Sequence, residues 1–487
     1  MKAIDGLNPQ ALWRHFEEIS RIPRESGNEA SIRQHIADRA HQYGLACTID
    51  EAGNVLVKKP GISGPLPVAL QSHMDMVCEK NNQTAHDFGS DPIRLIREND
   101  WIRADNTTLG ADNGIGVAAM LALMEDTTLV HPSIELLFTV EEETGLTGAR
   151  MLSRDSFAAD TLLNLDSEEE GTLYIGCAGG MDTELVTGLT FEEAPADTEA
   201  VTVRITGLKG GHSGGDIHEG LGNALKLLNR FLLATLPEYG FHLAEIQGGN
   251  KHNAIPREAQ AGIYVTKEAH RGLRKEAAVW NGLFKGELAL IDEGVTLFIE
   301  KGHPSSPRVI TRQDAQRIFN ILQALPHGPL RKDPRLDNTV VTSTNLAVCA
   351  FRNNTFVVTT SQRSLLQSAL VDISSQVKAV GELAGCRITH SSGYPAWRPD
   401  FASPALKTCT EVYRALYGVD PKATVIHAGL ECAVIGEQIA GLDMISLGPT
   451  IEHPHSPHER VLIASVERFW KYLLRLLEYM AKHEKRA

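Results

Sequence analysis

The chain has 487 residues, of which 42% are hydrophobic, 22% charged and 6% aromatic. This is the composition of an ordinary globular protein, and it excludes a disordered chain, a collagen-like chain and a small disulfide-rich domain. Lys and Arg number 47 against 61 Asp and Glu, and the resulting formal charge of −14 argues against nucleic acid as a partner. The seven cysteines include no Cys-x-x-Cys pair, so we expect reduced thiols and a cytoplasmic protein.

Neither a leader nor a membrane segment is evident. The first residues, MKAIDGLNPQALWRHF, lack the layout of a signal peptide. No apolar run approaches the roughly 18–20 residues that cross a bilayer, so we expect no membrane partner. The 19 histidines, several of them beside Asp or Glu, are the unusual feature of the inventory. Their number alone does not define a site.

The first 180 residues alternate between predicted helices and strands. Asn8 is placed as the cap of a first helix with Pro9 at its first position, and residues 29–43 form a second helix. The stretch Asn113–Glu125 is also predicted to be helical. The apolar strands are Pro67–Gln71, Ile134–Val140 and Thr161–Leu165. Apolar strands separated by helices predict an α/β fold with a mixed, largely parallel sheet that binds ligands at its carboxyl edge.

From about residue 187 the pattern changes, beginning with polar strands such as Glu199–Ile205. Residues 270–335 are predicted to be mostly helical and charged, and residues 339–362 to form two antiparallel strands. The α/β pattern returns towards the end of the chain. We therefore expect one α/β domain made from both ends of the chain, interrupted by an inserted α+β domain. The predicted boundaries are residues 1–186 and 394–487 for the α/β domain and residues 187–393 for the insertion.

Two polar positions follow the first apolar strand and the next glycine-rich turn. His73 and Asp75 form a His-x-Asp pair in which period-two spacing places both side chains on one side. Asp75 can then hold the imidazole of His73 in one tautomer, as it does for metal-bound histidines, although a simple hydrogen-bonded pair is the alternative. Asp112 lies in the turn TTLGADNGIG before a helix, where a helix cap is the alternative. No P-loop lysine or G-x-G-x-x-G spacing supports nucleotide binding there.

Two further strands end in carboxylates. Glu141, Glu142 and Glu143 follow a buried strand and would repel one another unless a cation or water shares their charge, although a solvated acidic loop is the alternative. Asp166 ends the next strand, where a cap is again the alternative. Together the four connections deliver His, Asp, Glu and Asp to one sheet edge. This set suits zinc, manganese or cobalt rather than a structural cysteine site, and two metals about 3.5–4 Å apart need a bridging carboxylate.

Six segments resemble the co-catalytic metallopeptidases, a family that includes carnosinases, aminoacylases and succinyl-diaminopimelate desuccinylase. The segments are HMDMV, TTLGADNGIG, EEETG, NLDSEEEG, GLKGGHSGGDIHEGLGNA and GPTIEHPHSPHE. The resemblance extends from near residue 8 to near residue 480. The segments GCAGGMD, NAIPREA and HAGLEC and the long GGHSGG segment are its most specific pieces, and they match the subgroup that cleaves Xaa-His dipeptides, including the β-alanyl-histidine type.

The resemblance implies an α/β metallopeptidase domain that holds two Zn²⁺ per subunit, with Co²⁺ or Mn²⁺ as substitutes. The implied metal ligands are His73, Asp112, Glu143, Asp166 and His455. Asp112 would bridge the two ions. His73 and Asp166 would complete one metal site, and Glu143 and His455 would complete the other.

The same resemblance assigns catalytic roles around this site. Asp75 would orient the metal-bound histidine, and Glu142 would be the general base. Three histidines compete for the last ligand position, and they are His453, His455 and His458. The family pattern Pro-His-Ser-Pro-[Asp/Glu]-Glu selects His455. His458 stands where that pattern has an acid, so we expect a local change at the rim of the site and no loss of metal.

The inserted domain would be a lid over the substrate and would also form a homodimer. His212 in GGHSGG matches a position that polarises the scissile carbonyl. Asn253 and Arg363 match substrate-contacting positions, Arg363 as a clamp on the C-terminal carboxylate. A surface salt bridge is the alternative for Arg363. Gly429 in HAGLEC would approach the same carboxylate with its backbone.

The function implied is hydrolysis of small dipeptides, preferentially Xaa-His, by an activated water with a Glu general base. An N-acyl-amino-acid deacylase or a carboxypeptidase with the same dinuclear centre is the alternative within the enzymes. A metal-free binding protein is the alternative outside them. The presence of all five implied ligands together with Glu142 argues against a metal-free protein.

Overall fold

The computed structural model describes residues 3–62, 66–302, 307–334 and 339–482. The outermost residues and residues 63–65 of the predicted α/β domain, and two short segments of the predicted insertion, therefore lie outside the described residues.

Within the described ranges the chain forms twelve α-helices and twenty-five strands. The helices are α1 (Gln10–Ile19), α2 (Ala30–Gln42), α3 (Ala111–Glu125), α4 (Glu142–Gly145), α5 (Thr147–Arg150), α6 (Ala224–Tyr239), α7 (Lys267–Glu287), α8 (Arg312–Ala324), α9 (Gln367–Leu383), α10 (Pro404–Tyr417), α11 (Glu431–Gln438) and α12 (Ile463–Lys482).

The strands are β1 (Ala46–Ile49), β2 (Val55–Lys59), β3 (Val68–His73), β4 (Leu95–Glu98), β5 (Trp101–Ala104), β6 (Ile134–Thr139), β7 (Thr161–Asn164), β8 (Thr172–Cys177), β9 (Gly179–Gly188), β10 (Phe191–Glu193), β11 (Glu199–Thr206), β12 (Gly211–His212), β13 (His242–Gly248), β14 (Ala254–Ile255), β15 (Ala259–Val265), β16 (Thr296–Lys301), β17 (Arg308–Ile310), β18 (Gly328–Asp333), β19 (Thr339–Arg352), β20 (Thr355–Ser364), β21 (Arg387–His390), β22 (Lys422–Ile426), β23 (Asp443–Ser446), β24 (Ile451–Glu452) and β25 (Arg460–Leu462).

The chain divides into two compact units, and each has its own sheet. The first unit consists of Met1–Cys177, Pro399–Val425 and Leu430–Ala487. The second unit consists of Ala178–Arg398 and Ile426–Gly429.

The first unit is built on an eight-stranded sheet in the order β1-β2-β6-β3-β7-β23-β8-β22. Strands β6, β3, β7 and β23 are parallel to one another, whereas β2 and β8 join this central part antiparallel. Every residue of β3, β6 and β7 is buried, as expected for central strands that are covered on both faces. Helix α3 is apolar over almost its whole surface and is buried accordingly. The predicted mixed α/β sheet is confirmed.

The parallel register brings three polar segments to one edge of this sheet. His73, the last residue of β3, lies opposite Thr139, the last residue of β6. Gln71 of β3 lies opposite Asn164, the last residue of β7. The residues that directly follow these strands therefore emerge side by side, where carboxylate-bearing loops can converge on one ligand.

The second unit contains a nine-stranded sheet, with β16-β11-β15-β13-β19-β20-β9-β21 in order and β18 paired to β19. Its neighbouring strands are antiparallel. Burial alternates along β11, which is the signature of a sheet with one face on a core. That core also includes apolar residues of α6, α7 and α8. The two antiparallel strands predicted over residues 339–362 are present as the hairpin β19–β20.

The structure corrects two local predictions. In residues 270–335, α7 and α8 make up about half of the described residues, but β16 and β17 lie between the two helices and β18 follows α8. β16 alternates in burial and pairs with β11, a partner about 95 residues earlier in sequence that no local pattern identifies. Helix α1 begins at Gln10 with Pro9 as its N-cap, and Asn8 accepts a hydrogen bond from the Trp13 indole through its carbonyl instead of capping. None of the described helices is both long and apolar enough to cross a membrane.

Candidate metal centre

The first part of the site is the His-x-Asp pair at the end of β3. The side chain of His73 is 1% exposed, and its Nδ1 lies 3.1 Å from the carbonyl oxygen and 3.4 Å from the carboxylate Oδ1 of Asp75. These contacts orient the imidazole so that Nε2 is the free ligand atom.

Asp75 also binds the backbone of a second segment, which the sequence pattern did not indicate. Its carboxylate accepts hydrogen bonds from the backbone N–H groups of Glu142 and Glu143, each at 3.2 Å, and from the Ser26 hydroxyl at 2.7 Å. One buried carboxylate thus fixes both the imidazole of His73 and the start of the acidic segment after β6. Ser26 lies in a loop before α2, and nothing in the local sequence distinguishes it.

Asp112 occupies the centre of the site. Its Oδ1 lies 3.1 Å from Nε2 of His73, and its Oδ2 lies 3.0 Å from Nε2 of His455. Nε2 of His73 is also 3.3 Å from Asp166 Oδ1, and Nε2 of His455 is 3.1 Å from Glu143 Oε2. The two oxygens of Asp112 therefore serve two separate groups of ligand atoms.

The histidine of the second group comes from the loop after β24. His455 has a φ of 57°, a backbone conformation that non-glycine residues seldom adopt and that is concentrated at functional sites. Glu141, directly before the acidic pair, has a φ of 51°. Of the three competing histidines, His455 is the one whose Nε2 contacts Asp112 and Glu143. His458, which replaces the usual acid, is exposed.

These residues fit a metal ion by chemistry and by spacing. His73, Asp112 and Glu143 each offer a ligand atom, and these atoms lie within 4.8 Å of one another. Ligand atoms about 2.0–2.1 Å from a tetrahedral zinc lie roughly 3.3 Å apart, close to the separations within each group. Glu143 Oε1 is buried and has no hydrogen-bond partner, which leaves an acceptor for a cation. Two imidazoles and three carboxylates are the donor types of zinc, manganese and cobalt sites.

The pKa shifts of the site residues in the absence of a metal indicate an excess of negative charge that a cation would balance. Burial raises the pKa of Asp166 to about 7 despite the nearby imidazole of His73. Burial opposes the charged form of His455, but its bonds to Asp112 and Glu143 raise the pKa of that histidine to about 11. Burial also raises the pKa of Glu142, assisted by the negative charges of Glu143 and Asp166. The site is a buried acidic cluster in which positive charge is strongly stabilised.

A buried polar layer lies directly beneath the ligands. Glu431 accepts hydrogen bonds from Gln71 Nε2 and, at 2.7 Å, from the Thr139 hydroxyl. Asn164 Nδ2 donates to Gln71 Oε1 at 2.6 Å, so the network crosses three adjacent strands. Gln71 and Asn164 stand two residues before His73 and Asp166, hence on the same faces of β3 and β7. The sequence signal was Glu431 in HAGLEC, a segment in which the sequence assigned a role only to Gly429.

The remaining four predicted site residues lie in the second unit. His212 pairs with Ala254 between the short strands β12 and β14, and Ser213 N–H donates to the Asn253 carbonyl at 2.8 Å. Arg363 is on β20 and is 7% exposed, and its Nη1 donates to the hydroxyl of Tyr394. The structure thus brings His212 next to Asn253 and Arg363 next to Tyr394.

Two glycines hold the ring of Tyr394. A Cβ on Gly180 would lie 2.6 Å from Tyr394 Cζ, and one on Gly429 would lie 2.8 Å from Cε2. Any larger residue at either position would displace the ring. Gly180 in GCAGG and Gly429 in HAGLEC therefore pack against the tyrosine ring beside Arg363. The sequence pattern did not indicate this role for Gly180.

His427 connects these contacts. Its Nε2 lies 2.7 Å from the Ser343 hydroxyl, and Ser343 is the register partner of Arg363 across the hairpin. Burial and the positive charge of Arg363 lower the pKa of His427 to about 3, so the imidazole is neutral near pH 7. A Cβ on Gly214, two residues after His212, would lie 2.2 Å from the His427 carbonyl oxygen. We call the set His212, Asn253, Arg363, Tyr394 and His427 the polar cluster of the second unit.

Comparison with known proteins gives a consistent result. The profile of peptidase family M20/M25/M40 matches residues 69–479. The chain is 40% identical over 481 residues to the cytosol non-specific dipeptidase of Escherichia coli, covering 98% of this chain and 99% of that protein. It is similar to the crystal structure of aminoacylhistidine dipeptidase from Vibrio alginolyticus, with a TM-score of 0.87, 40% identity and 99% coverage of both chains. A tripeptidase from Staphylococcus aureus, 18% identical, shares the fold at a TM-score of 0.58, covering 98% of this chain and 100% of that chain.

Proposed function

The chain belongs to peptidase family M20/M25/M40, and on this premise we propose that it is a dipeptidase that hydrolyses Xaa-His dipeptides with two zinc ions. One observation carries the proposal. The two carboxylate oxygens of Asp112 serve two ligand groups, one with His73 and Asp166 and the other with His455 and Glu143. A carboxylate that bridges two metals requires this arrangement. Both 40% identical relatives are named dipeptidases, and the name of the relative from Vibrio alginolyticus, aminoacylhistidine dipeptidase, supports the Xaa-His preference.

The metal ligands would be the five residues of those two groups. Zinc bound there supplies Lewis acidity, which lowers the pKa of a water and polarises a carbonyl group near neutral pH. Co²⁺ or Mn²⁺ suits the same donors. Asp75 keeps the His73 tautomer that presents Nε2, because it occupies the Nδ1 side of the ring.

Glu142 is the general base. Its backbone N–H is fixed by Asp75, and its carboxylate belongs to the buried acidic cluster around the ligands. A raised pKa suits a carboxylate that takes a proton from the attacking water and returns it to the departing amine nitrogen. The neighbouring Glu143 presents one oxygen to His455 and therefore has a different task.

The polar cluster of the second unit binds the substrate. Arg363 holds the C-terminal carboxylate, because Tyr394 fixes one of its nitrogens while Nε is buried without a partner. His212 donates a hydrogen bond to the oxygen of the scissile carbonyl and stabilises the negative charge that develops there. Asn253 and the backbone of Gly429 complete the substrate contacts.

A substrate panel tests the proposal. The purified protein is loaded with zinc, manganese or cobalt and assayed on Xaa-His dipeptides, carnosine and the N-acetyl amino acids, while its metal content is measured. We expect two zinc ions per chain and hydrolysis of the dipeptides. Preferential cleavage of N-acetyl amino acids would show that the protein is a deacylase and not a dipeptidase. A protein that binds no metal would contradict both of these activities.

We also propose a cytoplasmic homodimer that forms through the second unit. The relative from Escherichia coli is named a cytosol enzyme, and none of the seven cysteines, all within the described residues, takes part in a disulfide bond. The second unit exposes large apolar side chains on and just after α7, with Val279 at 60%, Leu283 at 45% and Leu290 at 92%. Light scattering of the protein in solution measures its molar mass and so checks the prediction. The substitution Leu283→Glu should yield a monomer. A monomeric wild-type protein would contradict it.

A further inference from the structure

Two buried ionisable side chains, one basic and one acidic, lie beside the proposed metal ligands and have no assigned role. Arg24 is 2% exposed and Glu459 is 2% exposed. Their charges stabilise each other, and Arg24 is also attracted by Asp75. Because buried charges are costly unless they are compensated by hydrogen bonds, the groups that these two side chains bind indicate what they do.

Glu459 binds the backbone of the segment that carries the bridging aspartate. Its Oε2 accepts the N–H groups of Leu109 at 2.7 Å and Gly110 at 2.9 Å, and its Oε1 accepts those of Ala111 at 2.7 Å and Asp112 at 3.2 Å. Four donors around one carboxylate determine both the position and the direction of this turn.

These four groups need a partner from elsewhere in the chain. Helix α3 begins at Ala111, and its N-cap is Gly110, which has no side chain to accept the free N–H groups of the first turn. Glu459, about 350 residues later, supplies the acceptor, and its negative charge suits the positive end of the helix. The same loop contains His455, four residues before Glu459. One carboxylate therefore connects the segments of two ligands of the site.

Arg24 connects a third segment. Its Nη1 donates to the carbonyl oxygens of Met74 at 3.0 Å and Asp75 at 2.9 Å, directly after His73. Its Nη2 donates to the carbonyl oxygen of Gly110. The guanidinium thus joins the His-x-Asp loop to the turn that Glu459 holds.

We infer that Arg24 and Glu459 are positioning residues that assemble the ligand segments of His73, Asp112 and His455 in the protein before metal binds. The inference rests on the proposed metal centre. Neither residue contacts substrate or metal. Their effect is on the affinity for metal, because a site whose ligand segments are already ordered loses less conformational freedom when the ion binds.

The test compares Glu459→Gln with a matched control, Glu135→Gln. Glu135 is 4% exposed in the same unit, and its Oε2 accepts the backbone N–H groups of Ala158 at 2.8 Å and Ala159 at 2.9 Å. Both substitutions replace a buried carboxylate that binds backbone donors, but only one lies beside the ligand segments. The readouts are hydrogen exchange of the metal-free full-length protein and zinc affinity by competition with a chelating dye.

For Glu459→Gln we expect faster exchange at residues 109–112 and zinc affinity about 10- to 100-fold weaker, the range typical of residues that support metal ligands. At saturating zinc its kcat should return close to the wild-type value. Glu135→Gln should exchange faster at Ala158 and Ala159 and keep wild-type zinc affinity. If Glu459→Gln fails to fold, Arg24→Lys, which keeps the charge but loses the planar fork, should show the same weakened affinity.

Two results would overturn the inference. The first is that Glu459→Gln keeps the zinc affinity and the hydrogen-exchange rates of the wild-type protein. If Glu459→Gln does not fold, the same result in Arg24→Lys would overturn the inference. The other is an equal loss of zinc affinity in Glu135→Gln, which would show general destabilisation. The proposed function fails separately: a wild-type protein that binds zinc but cleaves no dipeptide would refute the dipeptidase and leave the positioning role intact.

Discussion

The candidate metal centre of the first unit and the polar cluster of the second unit are built in different ways. In the candidate metal centre, His73 ends a parallel strand, Glu143 and Asp166 lie shortly after parallel strands, and Asp75 holds backbone N–H groups of the acidic segment. In the polar cluster, only His212 and Arg363 lie on strands, and side-chain contacts such as Arg363–Tyr394 and His427–Ser343 hold the cluster together. Sheet topology therefore accounts for three of the five proposed ligands, whereas the polar cluster depends on packing between distant segments.

This difference predicts separate consequences for the two regions. Changes in the metal centre should alter metal affinity or the rate of the chemical step. Changes in the polar cluster should alter substrate binding or carbonyl activation while the metal content stays the same. The following four substitutions test that separation.

The largest effect is expected for Glu142→Gln. An amide cannot take the proton of the attacking water, so kcat should fall by about 10²- to 10⁴-fold while zinc content is unchanged. The control is Glu141→Gln, which removes the preceding carboxylate and should stay within about twofold of wild type, because no role in proton transfer is assigned to it. Full activity of Glu142→Gln in a steady-state dipeptide assay would refute the assignment.

His212→Gln should lower kcat by about 10²- to 10³-fold, the cost of losing one hydrogen-bond donor to a developing oxyanion. Metal content, measured by elemental analysis, should not change. His218→Gln alters an exposed histidine on the same loop and should behave as wild type. An unchanged kcat, or loss of zinc, in His212→Gln would break the separation between the two regions.

Arg363→Lys should act on substrate binding. A lysine offers a point charge where the guanidinium offers a planar fork, so kcat/KM for free dipeptides should fall by about 10- to 100-fold, mainly through KM. Dipeptide amides, which lack the C-terminal carboxylate, should lose much less. Equal losses for acids and amides would show that Arg363 does not bind the carboxylate.

Tyr394→Phe should have the smallest effect. The ring remains between Gly180 and Gly429, and only the hydrogen bond to Arg363 is lost, worth about 1 kcal/mol, or roughly fivefold in KM. Tyr479→Phe, which removes an exposed hydroxyl bonded to Glu411, is the control. A change in kcat without a change in KM would mean that Tyr394 acts elsewhere than through Arg363.

The sheet of the first unit was predictable because its central strands are continuous apolar runs. The mixed α/β sheet follows from those runs and the helix between them, and the structure confirms it. The strands within residues 270–335 were missed although the helices were expected. β16 pairs with β11, and pairing over that distance leaves no periodic signal stronger than that of the helices around it.

The candidate ligands were predictable for a related reason. His73, Glu143 and Asp166 follow strand ends, and parallel strands end at one edge. Arg24, Ser26 and Glu459 were not identified, because their importance lies in the backbone groups that they bind. The sequence around a polar residue in a loop does not show which backbone groups its side chain will bind. Glu459 is the last residue of the segment GPTIEHPHSPHE, but the resemblance assigns a role there only to a histidine.

The sequence by itself determined the fold class, the family and the set of acid and imidazole groups near the sheet edge, because these depend on residue type and short spacing. The sequence contains 19 histidines, but residue type alone does not distinguish the candidate metal ligands from the other histidines. The tertiary structure decided which Nε2 atoms meet the two oxygens of Asp112, and which buried charges hold the ligand segments. Those contacts join residues up to about 350 positions apart, and such distances are set by folding rather than by local pattern.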